Sequence, residues 1–176
     1  MQEAFCSQLL QLYFWGGIAS ASSPSWSTAQ SASSSATQDN VLYRTSCAGS
    51  TCFATGRYGV RHTLTGEEST SSNGVTIWSE TQSANQGANQ NNYLNGVSCV
   101  SSTSCMAAGD YIASGVTYTL TESFNGASWS IETSTNPSSV LNILYGVYCS
   151  SASSCLATGV ETGSSSMHQS LAELWS

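Results

Sequence analysis

The sequence predicts an all-β protein built from three repeats of about 50 residues, each made of four short strands. Self-comparison aligns residues 41–56, 93–109 and 143–159, and each copy contains a cysteine pair followed by x-Ala-x-Gly. The first cysteines of these pairs, Cys47, Cys99 and Cys149, lie 52 and 50 residues apart. A period of this length is typical of solenoids, propellers and arrays. The 176 residues are enough for one domain with a buried core.

The second copy shows the four predicted strands most clearly. Strand a covers Leu94–Cys99 and strand b covers Cys105–Gly109. Strand c alternates apolar and polar residues over 118–122, as a half-buried strand does. Strand d starts at Trp129, after Asn125-Gly126, and Asn-Gly is a strong signal for a hairpin turn. No helical periodicity interrupts residues 41–176.

Several further residues recur at matching places in the copies, and we assign them a structural role. The two tryptophans are expected to pack between neighbouring sheets. The set comprises Gly56, Gly109, Gly159, Leu64, Leu120, Leu171, Trp78 and Trp129.

Each copy contains two cysteines that flank a short polar loop, which accounts for six of the seven cysteines. A disulfide between them would link the two strands of the a–b hairpin. The predicted pairs are Cys47 with Cys52, Cys99 with Cys105, and Cys149 with Cys155. Free thiols and metal ligands are the alternatives, although zinc sites need four ligands in one place and these pairs recur once per repeat. Disulfides would indicate an oxidising compartment. Cys6 has no partner in this scheme and would be free, removed or paired between chains.

The composition is strongly depleted in charge, with 3 Lys plus Arg and 10 Asp plus Glu, and a formal net charge of −7. Soluble domains usually carry about 25 % charged residues. An acidic chain without basic patches lacks the electrostatic signature of nucleic-acid or anionic-membrane binding. No apolar run approaches the length of a membrane span.

The N-terminal residues allow two interpretations. Residues 1–24 resemble either a signal peptide or a degenerate segment, although a signal n-region should be positive and this one carries Glu3. Trp26-Ser27 repeats the start of strand d, so residues 25–30 could complete the last repeat. We therefore predict one β-repeat domain over 25–176, with repeats at about 41–92, 93–142 and 143–176. Residues 31–40 and 83–92 are interpreted as polar, flexible loops.

The unit L-x-x-V-x-C-x5-C-x-A-x-G, followed by Y-T-L-x-E-x-x-N-G-x-x-W-S, resembles a repeat of secreted, mostly uncharacterised bacterial proteins of the actinobacterial type. The resemblance covers about residues 41–176 and implies four-stranded β-propeller-type blades. Propellers have typically 4–8 blades, whereas three copies are present here. A β-trefoil, also three repeats of four strands, is the alternative fold.

Residues suited to catalysis are few. His62 and His168 stand outside any metal-spaced motif, and no Gly-x-Ser-x-Gly elbow is present. Arg44, Arg57 and Arg61 all lie in the first copy. Carboxylates in strand c (Glu67 or Glu68, Glu122 and Glu173) recur once per copy, which suggests that they hydrogen-bond a neighbouring turn. We expect no catalytic residues, no metal and no cofactor.

The sequence favours a non-enzymatic, extracellular or cell-surface module that presents loops to a glycan or a protein. Aromatic faces stack on pyranose rings while amides bind hydroxyls, so the candidate contact residues are Tyr58, Tyr111, Tyr118 and Asn125. A structural protein that self-assembles through open sheet edges, as a closed oligomer or a fibre, is the first alternative. A glycosidase or sialidase-like enzyme is the second alternative.

Overall fold

The computed structural model describes residues 37, 39–59, 62–70, 76–87 and 89–176, and within them it is entirely β. The first sheet comprises β1 (Asn40–Ala48), β2 (Thr51–Tyr58), β3 (His62–Thr70) and β4 (Thr76–Thr81). The second sheet comprises β5 (Asn91–Ser101), β6 (Ser104–Ala113), β7 (Val116–Phe124) and β8 (Trp129–Glu132). The third sheet comprises β9 (Leu141–Ser151), β10 (Ser154–Thr162) and β11 (His168–Trp175). The all-β prediction is confirmed.

Each sheet is an antiparallel meander of consecutive strands. One parallel pair, Thr117 with Leu141, joins β9–β11 to β5–β8 in a single seven-stranded sheet, and we keep the names second and third sheet for these two antiparallel parts. The described sheets are open, and they do not close into the barrel that a β-trefoil requires. Residues 25–30 and Cys6 lie outside the described part of the chain.

The same irregularity occurs in the first strand of every sheet. Tyr43, Asn95 and Tyr145 each form the extra residue of a β-bulge, and a leucine just before it faces a glycine on the next strand. These glycines are Gly56, Gly109 and Gly159. At each of them a Cβ atom would overlap a backbone carbonyl of the first strand, so the bulge requires glycine. The structural role predicted for these three glycines is therefore explained by the bulge, which leaves no room for a side chain at their positions.

The three sheets stack face to face, and the core lies between them. On β6, Cys105 and Ala107 belong to the cluster shared with the first sheet, whereas Met106 and Ala108 pack against the third. The second sheet is therefore covered on both faces. The largest apolar side chains at the first junction are Phe53, Phe124 and Trp129.

Aromatic packing dominates the junction between the first and second sheets. The ring centroids of Phe53 and Phe124 are 5.0 Å apart, and those of Phe124 and Trp129 are 5.2 Å apart. Trp129 meets Phe53 edge-on at 6.2 Å. Trp129 thus occupies the intersheet position that the sequence predicts, while the side chain of Trp78 on β4 lies outside the described atoms.

A disulfide closes the first hairpin of each sheet, between the cysteines predicted as partners. The S–S distances are 2.01 Å in the first sheet, 2.07 Å in the second and 2.06 Å in the third. The paired cysteines face each other across the strands, with Cα atoms 3.9 to 4.0 Å apart. Each bridge therefore fixes the register of a first hairpin.

Replacing Cys99 and Cys105 together by serine is expected to lower the free energy of unfolding by about 2 kcal/mol. The loop they close is short, so the chain entropy removed from the unfolded state is small. Urea unfolding followed by tryptophan fluorescence measures the change. Ser102→Ala, in the exposed turn of the same hairpin, is the control and should stay within about 0.5 kcal/mol of the parent. Equal stability of the double variant and the control would contradict the stapling role.

Candidate functional site

An open cleft of about 270 Å³ lies beside the second sheet, and it contains one of the predicted contact residues, Tyr111. Thr119 and Leu120 also line it, and both are buried. The remaining lining residues come mainly from β8 and from the chain that follows it. The polar ones are Gln86, Glu132, Thr133, Ser134 and Asn136.

Tyr111 is held by its partner across the strands, Tyr118. The two rings stack with centroids 5.2 Å apart and planes 21° apart. The turn that joins β6 and β7 brings Ser114 and Gly115 to positive φ, 51° and 81°, and this favours a tight hairpin at the end of the strands. The two tyrosines lie side by side because β6 extends to Ala113, beyond the predicted end of strand b at Gly109.

Hydrogen bonds to the sheet fix the far wall of the cleft, which is formed by the connector over residues 133–140. Asn136 Oδ1 accepts from the Thr119 backbone N–H at 2.8 Å, and the Thr119 hydroxyl donates to the carbonyl of Thr135 at 2.9 Å. Glu132 Oε1 accepts from the Ser123 hydroxyl at 2.5 Å. The wall therefore presents amide, hydroxyl and carboxylate groups on a supported backbone.

Glu122 and Glu173 tie the connectors to the sheets. Glu122 Oε2 accepts from the Ser83 hydroxyl at 2.7 Å and from the Ala84 N–H at 3.2 Å. Glu173 Oε2 accepts in the same way from the Ser134 hydroxyl at 2.6 Å and from the Thr135 N–H at 3.2 Å. Both carboxylates therefore bind the segment that leads out of the preceding sheet.

The strand register corrects the equivalence predicted for the first copy. Glu122 pairs with Ala107 and Glu173 pairs with Ala157, but the matching Ala54 pairs with Gly66. Glu67 and Glu68 are therefore displaced by one and two residues from the carboxylate position.

Two carboxyl groups of the second sheet are buried and have a raised pKa. Burial raises the pKa of Glu122 to about 7, and the hydrogen bonds from Ser83 and Ala84 oppose this rise. Burial likewise raises the pKa of Asp110 to about 6, opposed by a hydrogen bond from Asn95. The Asn95 side-chain amide donates to Asp110 Oδ1 at 3.0 Å and to the Leu144 carbonyl at 2.9 Å. Asp110 and Asn95 thus link the second sheet to the first strand of the third.

Two buried asparagines have a structural role that the sequence analysis missed. Asn92 accepts from the Gln86 N–H and donates to the Gln90 carbonyl, and Asn142 makes the matching pair of bonds with Ser138. Both are fully buried. The segment over residues 83–92, interpreted as a polar, flexible loop, is anchored at Ser83 and Asn92, and its last two residues belong to β5. The available signal was an Asn-x-Leu sequence at the start of every copy.

The other predicted contact residues lie apart from the cleft. Tyr58 belongs to the first sheet, at the register position that Tyr111 occupies in the second. Asn125 lies at the opposite, disulfide end of the second sheet, where its Oδ1 accepts from the N–H groups of Ala127 and Ser128. The structure thus brings together Tyr111 and Tyr118, but not Tyr58 and Asn125.

The remaining candidate residues make local contacts. Arg57 donates to the Tyr43 hydroxyl at 3.0 Å and to the Gly59 carbonyl at 2.6 Å, and this hydrogen bond to Tyr43 raises the pKa of Arg57. Arg44 donates to the Tyr43 carbonyl. His168, at the start of β11, lies 2.5 Å from the Thr162 hydroxyl through Nδ1. Arg61 lies outside the described residues, and so does the side chain of His62.

The described residues contain no group of three or more His, Cys, Asp or Glu side chains placed to hold a metal ion. Across the same ranges, no helix is long and apolar enough to cross a bilayer. Comparison with protein families gives no match to the chain, and no curated protein sequence matches it significantly.

Proposed function

We propose that this chain is a non-enzymatic, extracellular or cell-surface module that binds a small saccharide in the Tyr111 cleft. The observation that carries the proposal is the combination of an aromatic side chain with amide, hydroxyl and carboxylate groups around one open cleft of about 270 Å³. Its volume lies at the lower end of the range of ligand pockets, about 300–1,000 Å³, so the ligand in this proposal is as small as one or two sugar rings.

The chemistry of the lining supports a sugar over other small ligands. Tyr118 stacks on one face of the Tyr111 ring, and in this proposal the apolar side of a pyranose contacts the part of Tyr111 that lines the cleft. Gln86 and Glu132 supply an amide and an acceptor for sugar hydroxyls. The net charge of −7 disfavours anionic ligands such as nucleotides.

The stacking of the sheets supports a propeller-type architecture, in which each repeat is one blade. Successive sheets share the bulge, the disulfide and the face-to-face packing. In this proposal residues 25–30 add a fourth strand beside β11. Three disulfides are compatible with an oxidising extracellular compartment.

Glycan-array screening of the disulfide-intact chain, followed by calorimetry with the sugars that bind, tests the proposal. We expect Gln86→Ala and Tyr111→Ala each to weaken binding at least tenfold, a loss of about 1.4 kcal/mol or more. Tyr145→Ala is the matched control, because Tyr145 is an exposed tyrosine of the third sheet. Circular dichroism checks that each variant folds.

Two results would overturn this function. One is the absence of binding to any sugar on the array. The other is binding that survives both cleft substitutions, which would place the sugar elsewhere on the molecule.

A further inference from the structure

The outward face of the third sheet carries a row of three large apolar side chains, one from each strand. Leu156 on β10 pairs with Tyr148 on β9 and with Leu174 on β11. Their exposed fractions are 43 % for Leu156, 70 % for Tyr148 and 82 % for Leu174. We call these three residues the outer row. No other described residue covers it, and an exposed apolar patch of this kind marks an interaction surface.

The same register position is covered in the other two sheets. Phe53 and Met106 stand where Leu156 stands, directly after the second cysteine of each pair, and they are 0 % and 6 % exposed. The second sheet covers Phe53, and the third sheet covers Met106. In the first and second sheets this position is therefore buried by the sheet that follows. In the third sheet no described sheet follows, and Leu156 is exposed.

The residues beside Leu156 differ from those in the covered rows. Serine stands at the Tyr148 position in the other sheets: Ser46 Oγ accepts from the Cys99 N–H at 2.9 Å, and Ser98 Oγ accepts from the Cys149 N–H at 3.0 Å. These short side chains bond the backbone of the next sheet directly. Tyr148 is too large for that contact, so the outer row fits a different partner from the sheet-to-sheet packing within the chain.

The first sheet of another copy is a poor match for the outer row. Its register position Thr45 corresponds to the apolar Val97 of the second sheet. A head-to-tail stack would therefore place the hydroxyl group of Thr45 against Tyr148, Leu156 and Leu174. Burying such a polar group without a partner is unfavourable.

A second outer row is the better match. The neighbouring pair Thr158 and Ala172 is also uncharged, so this face brings no like charges together although each chain carries −7. Leu156 is the middle of the row, and a two-fold axis near it sets Tyr148 of one copy against Leu174 of the other. Such an interface is isologous and closes at two subunits.

We propose that two copies of this chain associate through their outer rows, with the third sheets packed face to face about a two-fold axis. The proposal is independent of sugar binding, because the Tyr111 cleft lies beside the second sheet.

Light scattering coupled to gel filtration, over micromolar to millimolar chain concentrations, tests the association. We expect a species of twice 18.4 kDa that dissociates on dilution. Leu156→Asp should shift it to the monomer at all these concentrations. Val140→Asp is the matched control, since Val140 has a similar exposed fraction, 47 %, but lies in the connector before β9. Mass spectrometry of the three intact disulfides checks the fold of each variant.

A second variant distinguishes the two-fold arrangement from a head-to-tail one. In a Cys6→Ser background, Leu156→Cys should form a covalent dimer under mild oxidation, because the two residues meet near the axis. A parent chain that stays monomeric at millimolar concentration overturns the proposal, because the outer row would then not be covered by a second copy. A dimer that persists in Leu156→Asp, or that fails to cross-link through Leu156→Cys, overturns it as well.

Discussion

The Gly109→Ala variant is expected to lose about 3 kcal/mol or more of its free energy of unfolding, a large share of the roughly 5–15 kcal/mol typical of a domain. A Cβ at Gly109 would overlap the carbonyl oxygen of Tyr93 on the neighbouring strand. The obstacle is backbone, which cannot rotate away as a side chain does. The β5–β6 pair would have to separate where Leu94 faces Gly109, next to the bulge at Asn95.

Gly146→Ala is the matched control for this prediction. Gly146 also lies in a strand next to the bulge position, but a Cβ there would meet nothing within 4 Å. It should change stability by less than about 1 kcal/mol. Urea unfolding followed by circular dichroism measures both variants. Similar midpoints for Gly109→Ala and Gly146→Ala would show that the bulge tolerates a side chain.

The sequence predicted the recurring glycines but not the bulge that requires them. Gly56, Gly109 and Gly159 stand out because they recur at a fixed distance from the cysteines. The extra residues of the bulges are two tyrosines and an asparagine (Tyr43, Tyr145 and Asn95), so no single side-chain type marks the position. A bulge constrains the backbone of its extra residue and the space at the facing glycine, but it does not constrain the side chain of the extra residue. Comparison of the copies therefore cannot reveal it.

The hairpins were predictable because their determinants are local. The Asn125-Gly126 turn lies directly between β7 and β8, and the two cysteines of each first hairpin are 5 or 6 residues apart. The roles of Glu122 and Glu173 were predictable in part, since recurrence suggested a bond to a turn. Their partners lie 38 and 39 residues away, so only the folded structure identifies them.

The candidate site also combines local contacts with contacts between residues that are distant in the sequence. The pairing of Tyr111 with Tyr118 depends on the local turn at Ser114 and Gly115, but the predicted strand b ended at Gly109, before Tyr111. The opposite wall depends on where the connector over residues 133–140 crosses the sheet, which Asn136 and Thr119 decide through a contact 17 residues apart. Tyr58 resembles Tyr111 in sequence context, yet it lies in another sheet.

Raising the pH from about 4 to about 7 is expected to destabilise the fold, and Glu122 and Asp110 are the cause. Burial raises the pKa of Glu122 from 4.5 to about 7 and that of Asp110 from 3.8 to about 6. The folded state therefore binds protons more tightly than the unfolded state. The contribution of each group to stability is full below its unfolded pKa and is lost as the pH rises through its folded pKa. The loss is on the order of 3 kcal/mol per group at most.

Variants of Glu122 and of its hydrogen-bond donor Ser83 test this assignment. Glu122 Oε1 has no hydrogen-bond partner among the described residues, so an amide group there loses no bond that the structure shows. Glu122→Gln should flatten the fall in thermal stability between pH 4.5 and 7. Ser83→Ala is the matched variant and should act in the opposite direction. It keeps the carboxyl group but removes a hydrogen bond that lowers the pKa of Glu122, so the fall should extend to higher pH. Melting temperatures across this pH range measure both. A profile that Glu122→Gln leaves unchanged would show that Glu122 does not titrate with folding.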